Sequence, residues 1–322
     1  MTSVQFYDCP VVIPYYGGKF RLSTQLVPML ADHERYVEVF AGGLSMFFRK
    51  NKAKYSIVND IDNDIVNLYT CVITQLEKLI DTLYWLPKSR ALFNDAKSAV
   101  HSTKDIDMPD VARAAQYFYC IRNAFNKIPY GTFSKTSTWN TSGIIENLKY
   151  SRTFFDDTTI ENLDFRKLIV DYKPKEGDMW YLDPPYIVAT ERGDYYMADF
   201  GIDEHEDMRE CVDYIDRAGA NFMISYDDRK VIRDMYSDYN IHEIETQYAG
   251  RNEDDVKYFL SAFAIQWGIG GIINLWSLDL GGGYAASGYR TAFGIAVAMQ
   301  VCALCWLVYD RRFRNKINIA HD

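Results

Sequence analysis

The sequence contains few of the residues that bind metal ions or form disulfide bonds. It has five histidines and six cysteines among 322 residues, and neither type is grouped at the spacing of metal ligands. The nearest cysteines, Cys302 and Cys305, lie in an apolar run with no second pair or nearby histidine. The scattered cysteines indicate reduced thiols in a cytoplasmic protein, and we expect neither a disulfide framework nor a bound metal.

The chain also lacks an excess of basic residues. A formal net charge of −9 excludes a basic surface over the whole molecule. Residues 111–145 nevertheless contain no Asp or Glu, and they mix cations with aromatic residues. These residues are Arg113, Arg122, Lys127, Lys135, Phe125, Tyr130, Phe133 and Trp139. Such a mixture suits contacts with phosphates and bases, so we predict a local nucleic-acid surface here. The alternative is a helical lid whose aromatic residues form a core.

The end of the chain differs in composition from the rest. Residues 261–278 and 291–309 contain no charged residue, and each run is about long enough to span a membrane. Four basic residues follow the second run between positions 311 and 316, as expected on the cytoplasmic side of a span. This tail resembles the last helices of a polytopic membrane transporter, and it predicts membrane association through a two-span hairpin. A pair of buried helices is the alternative, and a natural fusion or an assembly artefact would both explain the join.

Strands and helices alternate over the first 260 residues. Apolar strands are predicted at 36–40, 55–58, 179–182 and 221–225, and helices at 61–86, 204–218 and from residue 229. A further helix is predicted from the glycine turn at Gly42 to Lys50, and an antiparallel pair at 241–248 and 256–260. The alternation predicts an α/β fold with a mostly parallel, Rossmann-like sheet.

The same pattern suggests four segments. Residues 1–86 and 161–262 form the two parts of the sheet domain, and residues 87–160 form a mostly helical insertion. Residues 263–322 form the apolar tail.

The most informative motif follows the predicted strand at 179–182. Asp183, Pro184, Pro185 and Tyr186 would form a rigid ledge, because proline fixes φ and donates no backbone hydrogen bond. The carboxylate and a bare carbonyl can accept both hydrogens of an exocyclic amine, while the tyrosine ring stacks on the base that carries it. The alternative is that the prolines only end the strand.

Two further motifs suit a nucleoside ligand. The turn from Phe40 to Gly43 allows close approach of the backbone to a ligand, and Asp60 follows the next strand about 20 residues later, where ribose hydroxyls bind. Near the start, Tyr15 and Lys19 flank a glycine turn.

Taken in order, these motifs resemble the Dam-like family of DNA adenine-N6 methyltransferases over about residues 10–262. The matching residues are Tyr15 and Lys19 in PYYGGK, Phe40 and Gly42 in VEVFAGGLSMFF, Asp60 in VNDIDNDI, Asp183, Pro184 and Tyr186 in DPPY, and Arg122, Asn123, Phe125 and Asn126 in RNAFN. ISYDD at 224–228 resembles a later strand motif of the family.

The resemblance implies transfer of a methyl group from S-adenosyl-L-methionine to N6 of a flipped adenine in double-stranded DNA, with GATC as the expected site. It implies that 87–160 is a target-recognition insertion. The implied catalytic residues are Asp183, Pro184 and Tyr186. The implied cofactor-binding residues are Tyr15, Lys19, Phe40, Gly42, Asp60 and Asp183. The implied DNA-recognition residues are Arg122, Asn123, Phe125, Asn126, Lys127 and Lys135.

The sequence departs from the family pattern at two places. Leu44 stands where the family has the second glycine of its first sheet motif, and the basic run after the recognition helix is shortened to KIPYGTFSKTSTWN. Other acceptors are an RNA base, a cytosine N4 amine or a protein glutamine, although Asp183 favours adenine. A membrane-associated, inactive cofactor-binding head is a further alternative.

Overall fold

The computed structural model describes residues 9, 11–102, 106–128, 131–186 and 200–244. The described residues up to Glu243 belong to one compact unit. The predicted apolar tail at 263–322 lies outside the described residues, as does most of the predicted antiparallel pair. Within the described part of the chain, no helix is both long and apolar enough to cross a membrane. The membrane association of the tail stays a prediction.

Five parallel strands form one sheet in the order β3-β2-β1-β4-β5. The strands are β1 (Arg35–Glu38), β2 (Tyr55–Asn59), β3 (Thr158–Glu161), β4 (Asp178–Leu182) and β5 (Asn221–Ile224). The order reverses at β1, so loops that follow β1, β2 and β4 lie at neighbouring positions on the carboxyl edge. The predicted parallel α/β sheet is therefore confirmed.

Nine α-helices flank or connect the strands within the described residues. They are α1 (Ser23–Leu26), α2 (Asn63–Thr74), α3 (Leu76–Tyr84), α4 (Arg90–Ser102), α5 (Val111–Asn123), α6 (Thr141–Arg152), α7 (Phe165–Tyr172), α8 (Ile202–Arg217) and α9 (Lys230–Met235). Short 3₁₀ helices occupy Val27–Met29, Phe47–Arg49, Phe125–Lys127 and Thr153–Phe155.

The helix predicted after the glycine turn is reduced to the 3₁₀ helix Phe47–Arg49. Gly42 and Leu44 adopt φ values of 44° and 51°, which a right-handed helix cannot include. The backbone therefore turns twice before any helical segment begins. The positive φ at Leu44 also explains why a glycine is expected at that position.

Strand β3 has no strong signal in the sequence. It contains two threonines and one isoleucine, and none of its four residues is fully buried. It lies at the edge of the sheet, where little apolar surface is needed, so alternation is weak. The predicted boundary between insertion and sheet domain, at residue 160, falls inside this strand.

The centre of the sheet is fully buried. All five residues of β4 are inaccessible, as expected for a central parallel strand covered on both faces. One core cluster joins Trp180 and Leu182 of this strand to Leu168 of α7, Met208 of α8 and Ile232 of α9. A rigid β4 therefore positions the motif that follows it.

Candidate active site

The carboxylate of Asp183 is held where β4 ends. Lys19 Nζ lies 2.6 Å from each carboxylate oxygen of Asp183, and Ser225 Oγ donates to Oδ1 at 2.7 Å. The side chain of Asp183 is 17% exposed and that of Lys19 is 7% exposed. Asp183 therefore keeps a defined orientation while part of it stays open to a ligand.

Lys19 connects the N-terminal glycine turn to the ledge. Its ammonium donates to the carbonyl of Gly17 at 2.9 Å and lies 4.8 Å from the centroid of the Tyr186 ring. The structure thus places Lys19 against the predicted catalytic residues Asp183 and Tyr186. Its predicted contact with the cofactor stays a prediction.

Ser225 and Tyr181 support Asp183, although the sequence motifs predict a role for neither. Ser225 follows β5, and its backbone N–H donates to the carbonyl of Leu182 at 3.0 Å, so the parallel register continues past both strand ends. The hydroxyl groups of Tyr181 and Ser225 lie 3.3 Å apart. Burial raises the pKa of Tyr181 well above its usual value, so this hydroxyl stays protonated. The place of Ser225 in ISYDD was the available signal.

The glycine turn and Asp60 meet at the adjacent edge. The backbone N–H of Gly42 donates to Asp60 Oδ2 at 2.9 Å, and that of Asp62 donates to Oδ1 at 2.9 Å. Burial raises the pKa of Asp60 to about 6, although these hydrogen bonds favour the ionised form. Asp60 is half-buried, so ligand hydroxyl groups can still reach it.

Tyr15 covers the glycine turn. A Cβ at Gly42 would lie 3.1 Å from Tyr15 Cδ1, and one at Gly43 would lie 3.0 Å from Tyr15 Cβ. The turn therefore leaves no room for a side chain on the side where Tyr15 lies. Phe40, which precedes the turn, packs against Phe165 at a centroid distance of 5.9 Å. Tyr15, Gly42 and Asp60, all predicted to bind the cofactor, are thus brought together.

This edge fits a bound S-adenosyl-L-methionine in two observed respects. Tyr15, which is predicted to bind the cofactor, packs directly against the turn at Gly42 and Gly43, and the Asp60 carboxylate offers acceptors beside this turn. Pro184 is buried directly after Asp183, and the predicted role of its carbonyl stays a prediction.

The predicted recognition residues lie around the end of α5. Phe125 is 58% exposed, and the next two residues, Asn126 and Lys127, have φ values of 53° and 60°. Lys127 Nζ donates to the carbonyl of Arg122 at 2.8 Å, which closes this turn. Lys135 is exposed. The turn therefore presents an aromatic ring beside basic side chains.

Two polar residues of the acid-free segment lie in the interior instead. Asn123 is fully buried, and its amide donates to the carbonyl of Tyr119 at 3.0 Å and accepts from Ser137 Oγ at 3.2 Å. Arg113 is buried and donates to Asp64 at 2.6 Å and 3.0 Å. The inclusion of Arg113 in the basic surface was wrong, because a carboxylate inside the protein neutralises its charge. For Asn123, DNA contact stays a prediction. Its observed hydrogen bonds to Tyr119 and Ser137 fix the end of α5, which the turn at 125–127 follows.

The parallel sheet, its order and the carboxyl-edge site define a Rossmann-like methyltransferase. The chain belongs to the D12 class N6 adenine-specific DNA methyltransferase family, whose model matches residues 15–249. The predicted resemblance to Dam-like enzymes is therefore confirmed, and S-adenosylmethionine as methyl donor follows from membership. The protein is an adenine-specific DNA methyltransferase.

Several curated relatives span most of the same region. The type II methyltransferase M1.LlaDCHI of Lactococcus lactis is 26% identical over 71% of this chain and 85% of its own length. The retron Ec67 DNA adenine methylase of Escherichia coli is 24% identical over 73% of this chain and 84% of its own. The DNA adenine methylase of Haemophilus influenzae is 21% identical over 73% and 85%, respectively.

Proposed function

We propose that Asp183 and Tyr186 hold a flipped adenine of duplex DNA while its N6 amine is methylated. The methyl donor, S-adenosyl-L-methionine, binds at the sheet edge where Gly42 and Asp60 meet. One observation carries this proposal. The Lys19 ammonium bonds to both Asp183 oxygens and lies 4.8 Å over the Tyr186 ring. The ledge thus already accepts hydrogen bonds from a nitrogen atom that lies beside the Tyr186 ring.

Methyl transfer requires little of the protein beyond positioning of the base by Asp183 and Tyr186. S-adenosyl-L-methionine supplies an electrophilic methyl group when bound. Asp183 accepts a hydrogen bond from N6, which favours a pyramidal nitrogen and points its lone pair at the methyl carbon. In the transfer, the N6–carbon bond would form as the carbon–sulfur bond of the donor breaks, and the extra N6 proton would pass to solvent. Asp183 therefore acts by orientation, and Ser225 keeps one of its oxygens fixed during the transfer.

For the base to reach Asp183, Lys19 must leave the carboxylate. The ammonium has a second acceptor in the Gly17 carbonyl at 2.9 Å, so it can release Asp183 without losing every partner. Extracting the base requires a few kcal/mol. Stacking on Tyr186 returns about 1–3 kcal/mol.

DNA is proposed to lie against the insertion at 87–160. Phe125, Asn126 and Lys127 present an exposed turn there, and Arg122 and Lys135 add positive charge nearby in sequence. Lysine and arginine contacts with phosphates supply affinity in proteins of any net charge, provided that they are local. We take GATC as the working recognition sequence, because the best-known members of the resembled family use it.

The test is incubation of the purified protein with labelled S-adenosylmethionine and unmethylated plasmid, beside Asp183→Ala and a matched control. Asp156→Ala is the control, because Asp156 is an exposed carboxylate that pairs with Arg152 on the surface. We expect label in DNA from the wild type and Asp156→Ala and none from Asp183→Ala. Sequencing of modified bases then shows whether N6-methyladenine lies in GATC.

Three outcomes would contradict parts of the proposal. Near-normal transfer by Asp183→Ala would remove Asp183 from the reaction. Label in cytosine or RNA would change the acceptor. Methyladenine outside GATC would change only the recognition sequence.

A further inference from the structure

The turn after β5 supports both functional residues of the ledge. Ser225 donates to Asp183, and the next residue, Tyr226, lies against Tyr186 with a centroid distance of 6.0 Å. The rings are tilted by 36°, within the range of favourable aromatic pairs. The two adjacent side chains therefore contact the carboxylate and the ring that are proposed to hold the adenine.

Tyr226 is itself fixed by a buried histidine. The Tyr226 hydroxyl lies 2.9 Å from Nδ1 of His205, in the first turn of α8. His205 is 1% exposed and packs edge-on against Phe200 at 4.8 Å. A continuous line of contacts thus connects the core beneath α8 to Tyr186.

One ring nitrogen of His205 is unusual for a residue that only fills the core. Its Nε2 is buried and has no hydrogen-bond partner among the described residues. Such a group normally requires an explanation, since an apolar residue would pack there without an unpaired nitrogen. The hydrogen bond of Nδ1 to Tyr226 provides that explanation, because leucine or phenylalanine could not make it.

We propose that His205 is a positioning residue for base capture: it fixes Tyr226, and Tyr226 fixes the tilt of the Tyr186 ring that stacks on the flipped adenine. The inference rests on the proposed role of Tyr186. It assigns no proton transfer to the pair. Burial lowers the pKa of His205 and raises that of Tyr226, so both side chains stay neutral near pH 7.

The test compares three variants in the full-length protein. Tyr226→Phe removes only the hydroxyl. His205→Asn keeps a polar atom near the position of Nδ1, whereas His205→Gln moves the amide toward the position of Nε2. Loss of one neutral hydrogen bond predicts a decrease in kcat/KM for DNA of about three- to tenfold in Tyr226→Phe and His205→Gln. We expect His205→Asn to retain most of the activity, and KM for S-adenosylmethionine to be unchanged in all three.

A second readout isolates base capture from general stability. With 2-aminopurine at the target position, we expect less quenching of the flipped base in Tyr226→Phe and His205→Gln. The double variant Tyr226→Phe/His205→Gln should be no less active than the more impaired of the two single variants, because both changes break the same hydrogen bond between His205 and Tyr226. Thermal unfolding of Tyr226→Phe, which retains the ring, checks that the fold is intact.

Tyr186→Ala in the same assays separates the two proposals. If Tyr186→Ala captures and methylates DNA normally, the proposed role of Tyr186 fails. If Tyr186→Ala is impaired but Tyr226→Phe and His205→Gln match the wild type, only the positioning role of His205 fails. Multiplicative losses in the double variant, or equal losses in His205→Asn and His205→Gln, would likewise overturn it.

Discussion

Replacement of Gly42 by alanine should weaken cofactor binding in addition to destabilising the fold. Gly42 has a φ of 44°, where an L-residue costs about 1–2 kcal/mol relative to glycine. The new Cβ would lie 3.1 Å from Tyr15 Cδ1, so the Tyr15 ring must move by a few tenths of an ångström. That movement changes the surface that the donor is proposed to contact, and it strains the bond from Gly42 N–H to Asp60.

Gly219→Ala is a matched control for the free-energy cost of placing alanine at a positive φ. Gly219 has a φ of 76°, and a Cβ there would meet nothing within 4 Å. It follows α8, away from the glycine turn in sequence. Both variants should therefore lose about 1–2 kcal/mol of unfolding free energy in urea. Only Gly42→Ala should also bind S-adenosylmethionine about tenfold more weakly, which corresponds to about 1.4 kcal/mol.

Equilibrium dialysis with labelled S-adenosylmethionine and urea denaturation are sufficient for this comparison. Equal dissociation constants for Gly42→Ala and Gly219→Ala would refute the assignment of the turn to the donor. A large loss of stability in Gly42→Ala alone, with unchanged affinity, would show that the contact with Tyr15 is structural.

Four other outcomes are expected. Tyr186→Phe should retain most of the methylation rate, whereas Tyr186→Ala should lower kcat/KM for DNA about ten- to a hundredfold, because stacking contributes about 1–3 kcal/mol; a requirement for the hydroxyl in steady-state kinetics would contradict this. Asp60→Asn should raise KM for S-adenosylmethionine more than it lowers kcat. Wild-type affinity should also fall in binding titrations as the pH drops through about 6, the value to which burial raises the pKa of Asp60. Burial raises the pKa of Glu38 from 4.5 to about 8, so its contribution to stability is complete below 4.5 and is lost progressively as the pH rises to 8. In urea, the wild type should therefore lose stability relative to Glu38→Gln as the pH rises through that window, and a constant difference would argue against it. Lys135→Gln should reduce the slope of log affinity against log salt by about 1 without changing the methylated sequence; an unchanged slope would exclude a phosphate contact.

Local patterns in the sequence predict four of the five strands. Apolar, β-branched and aromatic residues identify β1, β2, β4 and β5, and the observed bounds differ from the predicted ones by no more than two residues. The strand that was missed, β3, is short and partly exposed, so it has little apolar periodicity. The helix expected before Lys50 is interrupted by backbone angles at Gly42 and Leu44 that apolar spacing does not reveal.

The candidate site divides in a similar way. The residue types at the strand ends are Asp60 and the motif from Asp183 to Tyr186. They can be predicted from the sequence because turn chemistry and strand termination are local. The burial of Arg113 and Asn123 cannot be predicted from the sequence, because it depends on hydrogen bonds to Asp64 and Ser137, which lie elsewhere in the chain. Composition made Arg113 look available to DNA, and the family resemblance did the same for Asn123.

The sequence by itself determined the alternation of strands and helices, the family and the chemical groups at the sheet edge. Only the tertiary structure decided that Lys19 bonds to Asp183 across 164 positions, that Ser225 bonds to it across 42, and that His205 supports Tyr226 across 21. Motifs and propensities act over a few residues. The contact between Ser225 and Asp183 exists only because β4 and β5 end side by side, which brings groups far apart in the chain within hydrogen-bonding distance.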